Sequence, residues 1–297
     1  MVGHGPAGWP AGDSGEVKRA VTRDAQLRSA LEAFDRVCRL LSAQGKAVVA
    51  VSGGVDSAVL AVAAQQALGR RALLATARSP VHAAADAAAA LVVARHLGLE
   101  HTFVDTGELD DPAFRANDRQ RCYYCKRAIG DALLELVARR DLGCVVEGST
   151  ADDAGDWRPG RDAVAERGFL SPLATAGLDK PRIRALARHF GLPNHDAAAE
   201  SCLAARIPYG TPVTRERLEQ VEAAEVVLLE MGLVPRGAAG LPVRPLRVRH
   251  HGDVARVEVD PRDAPAFLAH GAEVAAALRR LGFAHVAVDV EGYRRGG

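Results

Sequence analysis

A buried apolar strand, a glycine-rich loop and a helix follow one another near the start of the chain, and this unit restricts the possible folds more than any other feature. Residues 46–51 read Lys-Ala-Val-Val-Ala-Val, an apolar run typical of a strand buried on both faces of a parallel sheet. The loop Ser-Gly-Gly-Val-Asp-Ser follows at residues 52–57, and helical spacing of apolar residues resumes at Ala58. Because parallel strands are joined by crossover helices, this unit predicts an α/β fold.

Strands and helices continue to alternate along the chain. The further predicted strands lie at residues 72–77, 101–104 and 143–147, and the predicted helices at residues 24–42, 58–68, 83–97 and 128–140. Alternation of this kind predicts a doubly wound parallel sheet. A long loop at residues 148–160, a short helix at residues 180–190 and an irregular stretch at residues 194–212 follow.

A small α+β unit is predicted at the C-terminal end. A helix at residues 214–231, with Thr214 as its N-cap, precedes it. The unit itself has strands at residues 246–250, 254–259 and 285–290 and a helix at residues 264–281. We therefore expect three parts: a disordered tail at residues 1–23, a main α/β domain at residues 24–212, and a helix with a smaller α+β domain at residues 213–297.

The composition excludes several classes of protein. With 38 Lys+Arg against 37 Asp+Glu, the chain lacks the strongly basic character expected of a nucleic-acid-binding protein. No apolar run reaches the roughly 18 residues that a membrane span needs, and the N-terminal residues lack the apolar core of a secretory signal. Five cysteines without such a signal are typical of the reducing cytoplasm. We expect a cytoplasmic protein with no membrane and no nucleic-acid partner.

The glycine-rich loop has the residues of a phosphate-binding site. Gly53 and Gly54 allow the backbone to turn tightly and approach a phosphate, while Ser52 and Ser57 supply hydroxyl groups. Backbone N–H groups at the start of the following helix favour anions. The carboxylate of Asp56 fits a Mg²⁺ ion that neutralises the phosphates. The loop differs from the Gly-x-x-x-x-Gly-Lys-Ser/Thr pattern of γ-phosphate-cleaving ATPases and resembles the PP-loop of the ATP pyrophosphatases, which adenylate substrates and release pyrophosphate.

Three of the five cysteines are candidates for chemistry. Cys122 and Cys125 form a Cys-x-x-Cys pair ahead of a predicted helix, and Cys202 lies in an irregular stretch. They are either a metal-binding or reactive set, or two buried thiols and one loop thiol. A thioredoxin-like redox pair is disfavoured, because the pair follows a polar loop instead of a first strand. Cys38, on an apolar helical face, and Cys144, inside a strand, are interpreted as inert core residues.

Taken together, these motifs resemble those of one family. The motifs are the PP-loop, Arg121-Cys-Tyr-Tyr-Cys-Lys126, Asp156-Trp-Arg-Pro-Gly160, Ser171-Pro-Leu173, Ala176-Gly-Leu-Asp-Lys180, the stretch from Cys202 to Gly210, and Leu246-Arg-Val-Arg-His250. In this order they resemble the LarE family of ATP-dependent sulfur transferases, which help to build the nickel-pincer nucleotide cofactor. The resemblance covers residues 27–295, almost the whole chain. It implies that residues 24–212 form a PP-loop domain of the adenine nucleotide alpha hydrolase-like kind.

The resemblance also implies a reaction. The family's substrate is a pyridinium-3,5-biscarboxylate mononucleotide, whose carboxylate is adenylated with release of pyrophosphate and then converted to a thiocarboxylate. Cys202 matches the family's essential cysteine, which in one branch gives up its own sulfur and becomes dehydroalanine. In the other branch, three cysteines hold a [4Fe–4S] cluster, and this chain has the matching Cys122 and Cys125. We favour the cluster, because the sacrificial route leaves Cys122 and Cys125 without a task.

The resemblance extends to charged residues around the substrate. It implies that Arg247 and Arg249, which share one strand face, bind the substrate phosphate, and Arg206 is a further candidate. Glu258 is a candidate for binding metal or for fixing these arginines. Lys126 and Arg158 are candidates for contacting the ATP phosphates or the acyl-adenylate, with a plain surface charge as the other interpretation of each. We also expect a homo-oligomer and contacts with other enzymes of the cofactor pathway.

Three other functions stay open on sequence alone. A PP-loop tRNA thiolase also joins this loop to cysteines, although the near-zero net charge counts against it. An amidotransferase-type synthetase, such as an NAD or GMP synthetase, explains the loop but leaves the three cysteines unused. A regulatory nucleotide-binding module would bind ATP and release no pyrophosphate.

Overall fold

The computed structural model describes residues 14–155, 159–199 and 201–294. The strands in these ranges are β1 (Ala47–Ala50), β2 (Ala72–Arg78), β3 (His101–Asp105), β4 (Cys144–Val146), β5 (Leu246–His251), β6 (Val254–Val259) and β7 (His285–Val288). The α-helices are α1 (Ser14–Ser42), α2 (Val55–Leu68), α3 (Ala84–Leu97), α4 (Pro112–Arg115), α5 (Arg121–Arg140), α6 (Pro159–Glu166), α7 (Pro172–Thr175), α8 (Lys180–His189), α9 (Arg215–Glu230), α10 (Ala264–Ala269) and α11 (Gly271–Arg280). None of the helices in the described ranges is long and apolar enough to cross a membrane.

The first four strands form one parallel sheet in the order β3-β2-β1-β4, which confirms the predicted strands and the α/β fold. Neighbouring side chains of β1 belong to different cores. Val49 lies in a core shared with α1, α2, α3 and α8, whereas Val48 lies in a core shared with α5. Helices therefore cover both faces, as expected for a doubly wound sheet.

The last three strands form a second, smaller sheet in the order β5-β6-β7. β5 pairs antiparallel with β6, and β6 pairs parallel with β7. Its core includes Ala224 and Leu228 of α9, Phe267 of α10 and Leu278 of α11. The predicted helix at residues 264–281 is divided at His270, because the next residue is Gly271, whose flexible backbone disfavours an uninterrupted helix.

Helix α9 contacts both parts of the molecule. Thr214 is its N-cap, as predicted, and its hydroxyl accepts a hydrogen bond from the Arg217 amide at 3.4 Å. Ala224 and Leu228 belong to the core of the second sheet, whereas Leu218 and Val221 belong to a different cluster that includes Cys125. The proposed domain boundary at residues 212 and 213 stays a prediction.

The N-terminal helix is longer than the sequence indicated. Residues 14–23, which we assigned to a disordered tail, form the first part of α1. The Gly and Pro residues that suggested a tail lie within residues 1–15, whereas residues 16–23 include the good helix formers Glu, Lys, Arg and Ala. Residues 1–13 of the predicted tail lie outside the described ranges.

Two further corrections concern the segments around the Cys-x-x-Cys pair. α5 begins at Arg121, so Cys122 and Cys125 lie inside the helix instead of ahead of it. The polar residues of this part hid the helical periodicity. α6 begins in the last two residues of the stretch predicted as a long loop and continues beyond it. The two helices touch at Gly160, where a Cβ would lie 3.2 Å from the Cys122 carbonyl oxygen, so their mutual packing stabilises both.

Candidate nucleotide and cysteine site

The PP-loop lies at the carboxyl end of β1, a central strand of the parallel sheet, where ligands of open α/β folds bind. Gly53 has a φ of +85°, and a Cβ at this position would lie 2.2 Å from the Asp86 carbonyl oxygen at the start of α3. Both the backbone conformation and the contact therefore require glycine.

The remaining loop residues hold the turn and start the next helix. The Ser57 hydroxyl donates to the Gly54 carbonyl oxygen at 3.0 Å, and the Ser52 amide donates to the Ser57 hydroxyl at 3.2 Å. Gly54 is the N-cap of α2 and provides no side-chain cap. The start of α2 therefore has the electrostatics of an anion site, since unsatisfied N–H groups and the helix dipole favour negative charge there.

Asp56 is ion-paired with a lysine that is distant in sequence. Its carboxylate contacts the ammonium of Lys180, the first residue of α8. The Lys180 amide donates to the Asp152 carboxylate at 2.6 Å, which fixes the start of α8 beside the loop. Sequence reasoning gave Lys180 no role, although it ends the Ala176-Gly-Leu-Asp-Lys180 motif.

Asn194 is a second loop partner that sequence reasoning missed. It is fully buried, and its side-chain amide donates to the Gly53 carbonyl oxygen at 2.7 Å. Its Oδ1 has no hydrogen-bond partner among the described residues. A single asparagine in an irregular stretch carries no periodic signal, so only the tertiary structure reveals this contact.

Cys122, Cys125 and Cys202 come together. Cys125 and Cys202 share one apolar cluster, and the backbone before Leu203 is held by a 2.9 Å hydrogen bond from the Leu203 amide to the Val81 carbonyl oxygen. Burial raises the pKa of Cys125 well above its usual value, and the nearby Cys202 thiolate raises it further. The pKa of Cys122 is also raised, first by desolvation and then by Cys202. Neutral thiols are therefore favoured here unless a cation is present.

Cys38 and Cys144 lie apart from this set, each partly buried against the main core. Burial, with a contribution from Asp35, raises the pKa of Cys38 to about 11. Burial also raises the pKa of Cys144. Both are poor nucleophiles under ordinary conditions, which supports their interpretation as inert core residues.

Arginines hold the Cys202 loop, defined as residues 199 and 201–206, by its backbone. Arg206 is only 2% exposed and forms two hydrogen bonds with Glu225 of α9, at 2.9 and 3.0 Å. It also donates to the Cys202 carbonyl oxygen at 3.1 Å. Arg121, next to Cys122, donates to the Ala204 carbonyl oxygen at 2.8 Å. Both contacts fix Cys202 relative to its surroundings.

The second sheet contacts the same loop through β5. Arg247 donates to the Ala199 carbonyl oxygen at 2.7 Å, and Arg249 donates to the Ala205 carbonyl oxygen at 2.6 Å. Glu258, on the neighbouring strand, accepts from Arg249 at 3.0 Å and from Arg256 at 2.6 Å. The face of β5 that carries the two arginines therefore lies against the Cys202 loop, and Glu258 holds the pair Arg249 and Arg256.

Comparisons with known proteins identify the family. The NAD synthase family profile matches residues 35–123, which include the PP-loop. The chain is 32% identical over 276 residues to the pyridinium-3,5-bisthiocarboxylic acid mononucleotide synthase of Lactiplantibacillus plantarum, covering 93% of each protein. The chain belongs to the LarE family.

Two further relatives are similar to the chain. The uncharacterized protein slr1717 of Synechocystis is 35% identical over 253 residues, which cover 84% of this chain and 91% of that protein. The glutamine-hydrolyzing GMP synthase of Aeropyrum pernix is 29% identical over 212 residues, which cover 62% of this chain and 39% of that protein. As a LarE-family member with an NAD synthase-like segment, the protein is an ATP-dependent sulfur transferase.

Lys126 and Arg158 are the two residues predicted to contact ATP in this LarE-family member. Lys126 is exposed on α5, and its charge partly opposes the burial that raises the pKa of Cys122 and Cys125. It therefore lies near the cysteines, and its contact with ATP stays a prediction. Arg158 lies outside the described residues.

Proposed function

We propose that this protein adenylates a carboxylate of a pyridinium-3,5-biscarboxylate mononucleotide and converts it to a thiocarboxylate. One observation carries the proposal: the chain from the end of β2 to the start of α3 contacts both halves of the site. Val81, after β2, accepts the hydrogen bond from Leu203, next to Cys202, and the Asp86 backbone at the start of α3 lies against Gly53 of the PP-loop. A nucleotide at the loop would thus lie at the same carboxyl edge of the sheet as Cys202. The printed activity of the Lactiplantibacillus plantarum relative supports the same substrate.

The PP-loop would bind and activate ATP. The start of α2 would receive the phosphates, and Asp56 would coordinate Mg²⁺ after its partner Lys180 turns to a phosphate oxygen. The substrate carboxylate would attack the α-phosphorus, breaking the bond to pyrophosphate and forming an acyl-adenylate. AMP is then a good leaving group when sulfur attacks the acyl carbon.

The cysteines would supply the sulfur. Burial and the nearby Cys202 raise the pKa of both Cys122 and Cys125, so a bound cationic group would stabilise their thiolates. We propose that Cys122, Cys125 and Cys202 would hold a [4Fe–4S] cluster, whose iron without a protein ligand would bind hydrosulfide supplied from solution as the sulfur source. The protein's own contribution is to fix these thiols beside the adenylate and keep the site desolvated.

Substrate phosphate binding is proposed for the arginines of the second sheet. Arg206 and Arg247 are almost completely buried and donate to backbone carbonyls, so they would act mainly by holding the Cys202 loop. Arg249 and Arg256 are a directly opposed pair across β5 and β6, and their side chains are 13% and 37% exposed. These two are the better candidates for contacting the phosphate itself.

The direct test uses anaerobically purified protein with ATP, Mg²⁺ and the pyridinium mononucleotide. We expect substrate-dependent pyrophosphate release and a product whose mass shows replacement of oxygen by sulfur. Iron and sulfide analysis with a visible spectrum of the same sample tests the cluster. A product in which nitrogen replaces oxygen would favour the amidotransferase-type synthetase, and pyrophosphate release that requires tRNA would favour the thiolase.

A further inference from the structure

A histidine and a glutamate lie close to Cys125, one of the three cysteines of the candidate site. His82 follows β2, Glu108 begins the short 3₁₀ helix after β3, and Cys125 lies in α5. One ligand atom from each lies within 4.8 Å of the other two. Three separate segments thus bring nitrogen, oxygen and sulfur donors to one point, as ligands to a single ion require.

Glu108 is the unusual member of this group. Its side chain is completely buried, and its Oε2 has no hydrogen-bond partner among the described residues. Its other oxygen accepts from the Thr106 hydroxyl at 3.0 Å and lies 4.0 Å from the Cys125 sulfur. A buried carboxylate with an unpartnered oxygen is unfavourable unless a cation or a proton compensates it. No described Lys or Arg forms an ion pair with it, which leaves a bound cation or a proton as the compensating group.

We propose that His82, Glu108 and Cys125 bind one divalent transition-metal ion of the Zn²⁺ or Fe²⁺ type. Mixed imidazole, carboxylate and thiolate donors suit these ions and disfavour Mg²⁺ and Ca²⁺, which prefer oxygen alone. The Ser79 hydroxyl lies 3.3 Å from Nδ1 of His82, and such a contact orients the ring when the other nitrogen binds metal. Three protein ligands leave a fourth position for an exogenous ligand such as water or hydrosulfide.

The ion would share Cys125 with the proposed cluster. One thiolate cannot serve both groups in full, so the two forms of the protein are mutually exclusive. The single ion would occupy the protein before cluster assembly or after cluster loss. This inference does not depend on the proposed reaction, since two of the three donors, His82 and Glu108, have no part in that reaction.

Co²⁺ is a suitable probe, because its visible spectrum reports thiolate ligation. Full-length protein is freed of metal by chelation under anaerobic conditions and titrated with Co²⁺. We expect one equivalent to bind and to produce a sulfur-to-cobalt charge-transfer band. His82→Ala and Glu108→Gln should each lose affinity on the order of tenfold or more, as loss of a ligand costs at least as much as loss of a residue that orients one. Cys122→Ser and Cys202→Ser should bind Co²⁺ as the wild type does.

Asp110→Asn is the matched control, because Asp110 lies in the same 3₁₀ helix as Glu108 but is exposed. It should leave Co²⁺ binding unchanged. X-ray absorption of the Zn²⁺-loaded wild type tests the site without any variant, and we expect one sulfur ligand with nitrogen and oxygen. Three sulfur ligands, or Co²⁺ binding that survives in the His82 and Glu108 variants but fails in those of Cys122 and Cys202, would overturn the proposal. Pyrophosphate release in the same samples reports separately on the proposed function.

Discussion

The role of the Asp56 carboxylate of the PP-loop in pyrophosphate release can be tested by substitution. We expect Asp56→Ala to abolish pyrophosphate release, because the triphosphate loses the carboxylate that would hold its Mg²⁺. The protein should stay folded, since the Asp56 and Lys180 side chains are about 30% exposed (31% and 30%) and such ion pairs typically contribute no more than about 1 kcal/mol. A coupled pyrophosphate assay and thermal unfolding measure the two effects.

Asp162→Ala, at an exposed position on α6, is the control for general effects of losing a surface carboxylate. It should release pyrophosphate at the wild-type rate. Normal pyrophosphate formation in Asp56→Ala would remove the PP-loop carboxylate from the mechanism.

Serine variants of the three cysteines distinguish two possible sources of the transferred sulfur. If Cys122, Cys125 and Cys202 hold a cluster, serine at any of the three should abolish sulfur transfer and the visible absorption, because each thiolate is a ligand. If Cys202 donates its own sulfur, serine at Cys122 or Cys125 should leave one turnover intact. Product analysis under single-turnover conditions distinguishes these results.

Mass spectrometry of the protein after reaction gives an independent answer. The cluster route leaves Cys202 unchanged, whereas sacrifice converts it to dehydroalanine. Cys38→Ser is the control, since this thiol lies in the main core with a pKa of about 11. Dehydroalanine at position 202 in colourless, active protein would reverse our choice of mechanism.

At the scale of a single element, β5 presents arginines to the Cys202 loop. We expect Arg249→Ala to weaken binding of the pyridinium mononucleotide by about 1.5 to 3 kcal/mol, roughly tenfold or more, because a charge-assisted phosphate contact is lost. ATP affinity should stay unchanged, since the PP-loop lies in the other sheet. Isothermal titration with each ligand measures both affinities.

Arg262→Ala is the control for Arg249→Ala. Arg262 follows β6 and pairs only locally with Asp260, with its side chain 72% exposed. Both affinities should match those of the wild type. If Arg249→Ala also binds the substrate normally, Arg249 serves only to hold the Ala205 carbonyl and the phosphate site lies elsewhere.

At the scale of the whole molecule, Glu225 joins the Cys202 loop to the second sheet. Its carboxylate accepts from buried Arg206, which holds the Cys202 loop, and from the Val248 amide of β5 at 2.9 Å. Glu225→Ala would leave the Arg206 charge buried without its partner, which typically costs about 3 to 5 kcal/mol. We expect a large loss in the free energy of unfolding, measured by urea denaturation.

Glu219, which lies in α9 as Glu225 does, provides the control. Glu219 pairs with Arg215 at the surface, where both side chains are more than half exposed, so Glu219→Ala should cost no more than about 1 kcal/mol. Equal losses in the two variants would show that the Arg206 ion pair does not couple the Cys202 loop to the second sheet. A large loss confined to Glu225→Ala would show that the fold of the Cys202 loop depends on the second sheet.

Much of the architecture was predictable because it depends on local patterns. The apolar runs of β1 to β4, the helices between them and the Thr214 N-cap all depend on neighbours in sequence, and the structure confirms them. The Ser-Gly-Gly-Val-Asp-Ser string identified the PP-loop for the same reason. The local signal failed where polar residues interrupted the periodicity, as at the start of α5 and in α6.

The contacts within the site depend on residues that are far apart in the chain, and only the tertiary structure decided them. Lys180 meets Asp56, Asn194 meets Gly53, and His82 meets Glu108 beside Cys125. A strand or helix pattern reports which face a residue occupies but not which distant residue faces it. The sequence therefore determined the sheet, the loop and the identity of the candidate cysteines. Packing between segments decided which charged groups are buried and which partner each one has.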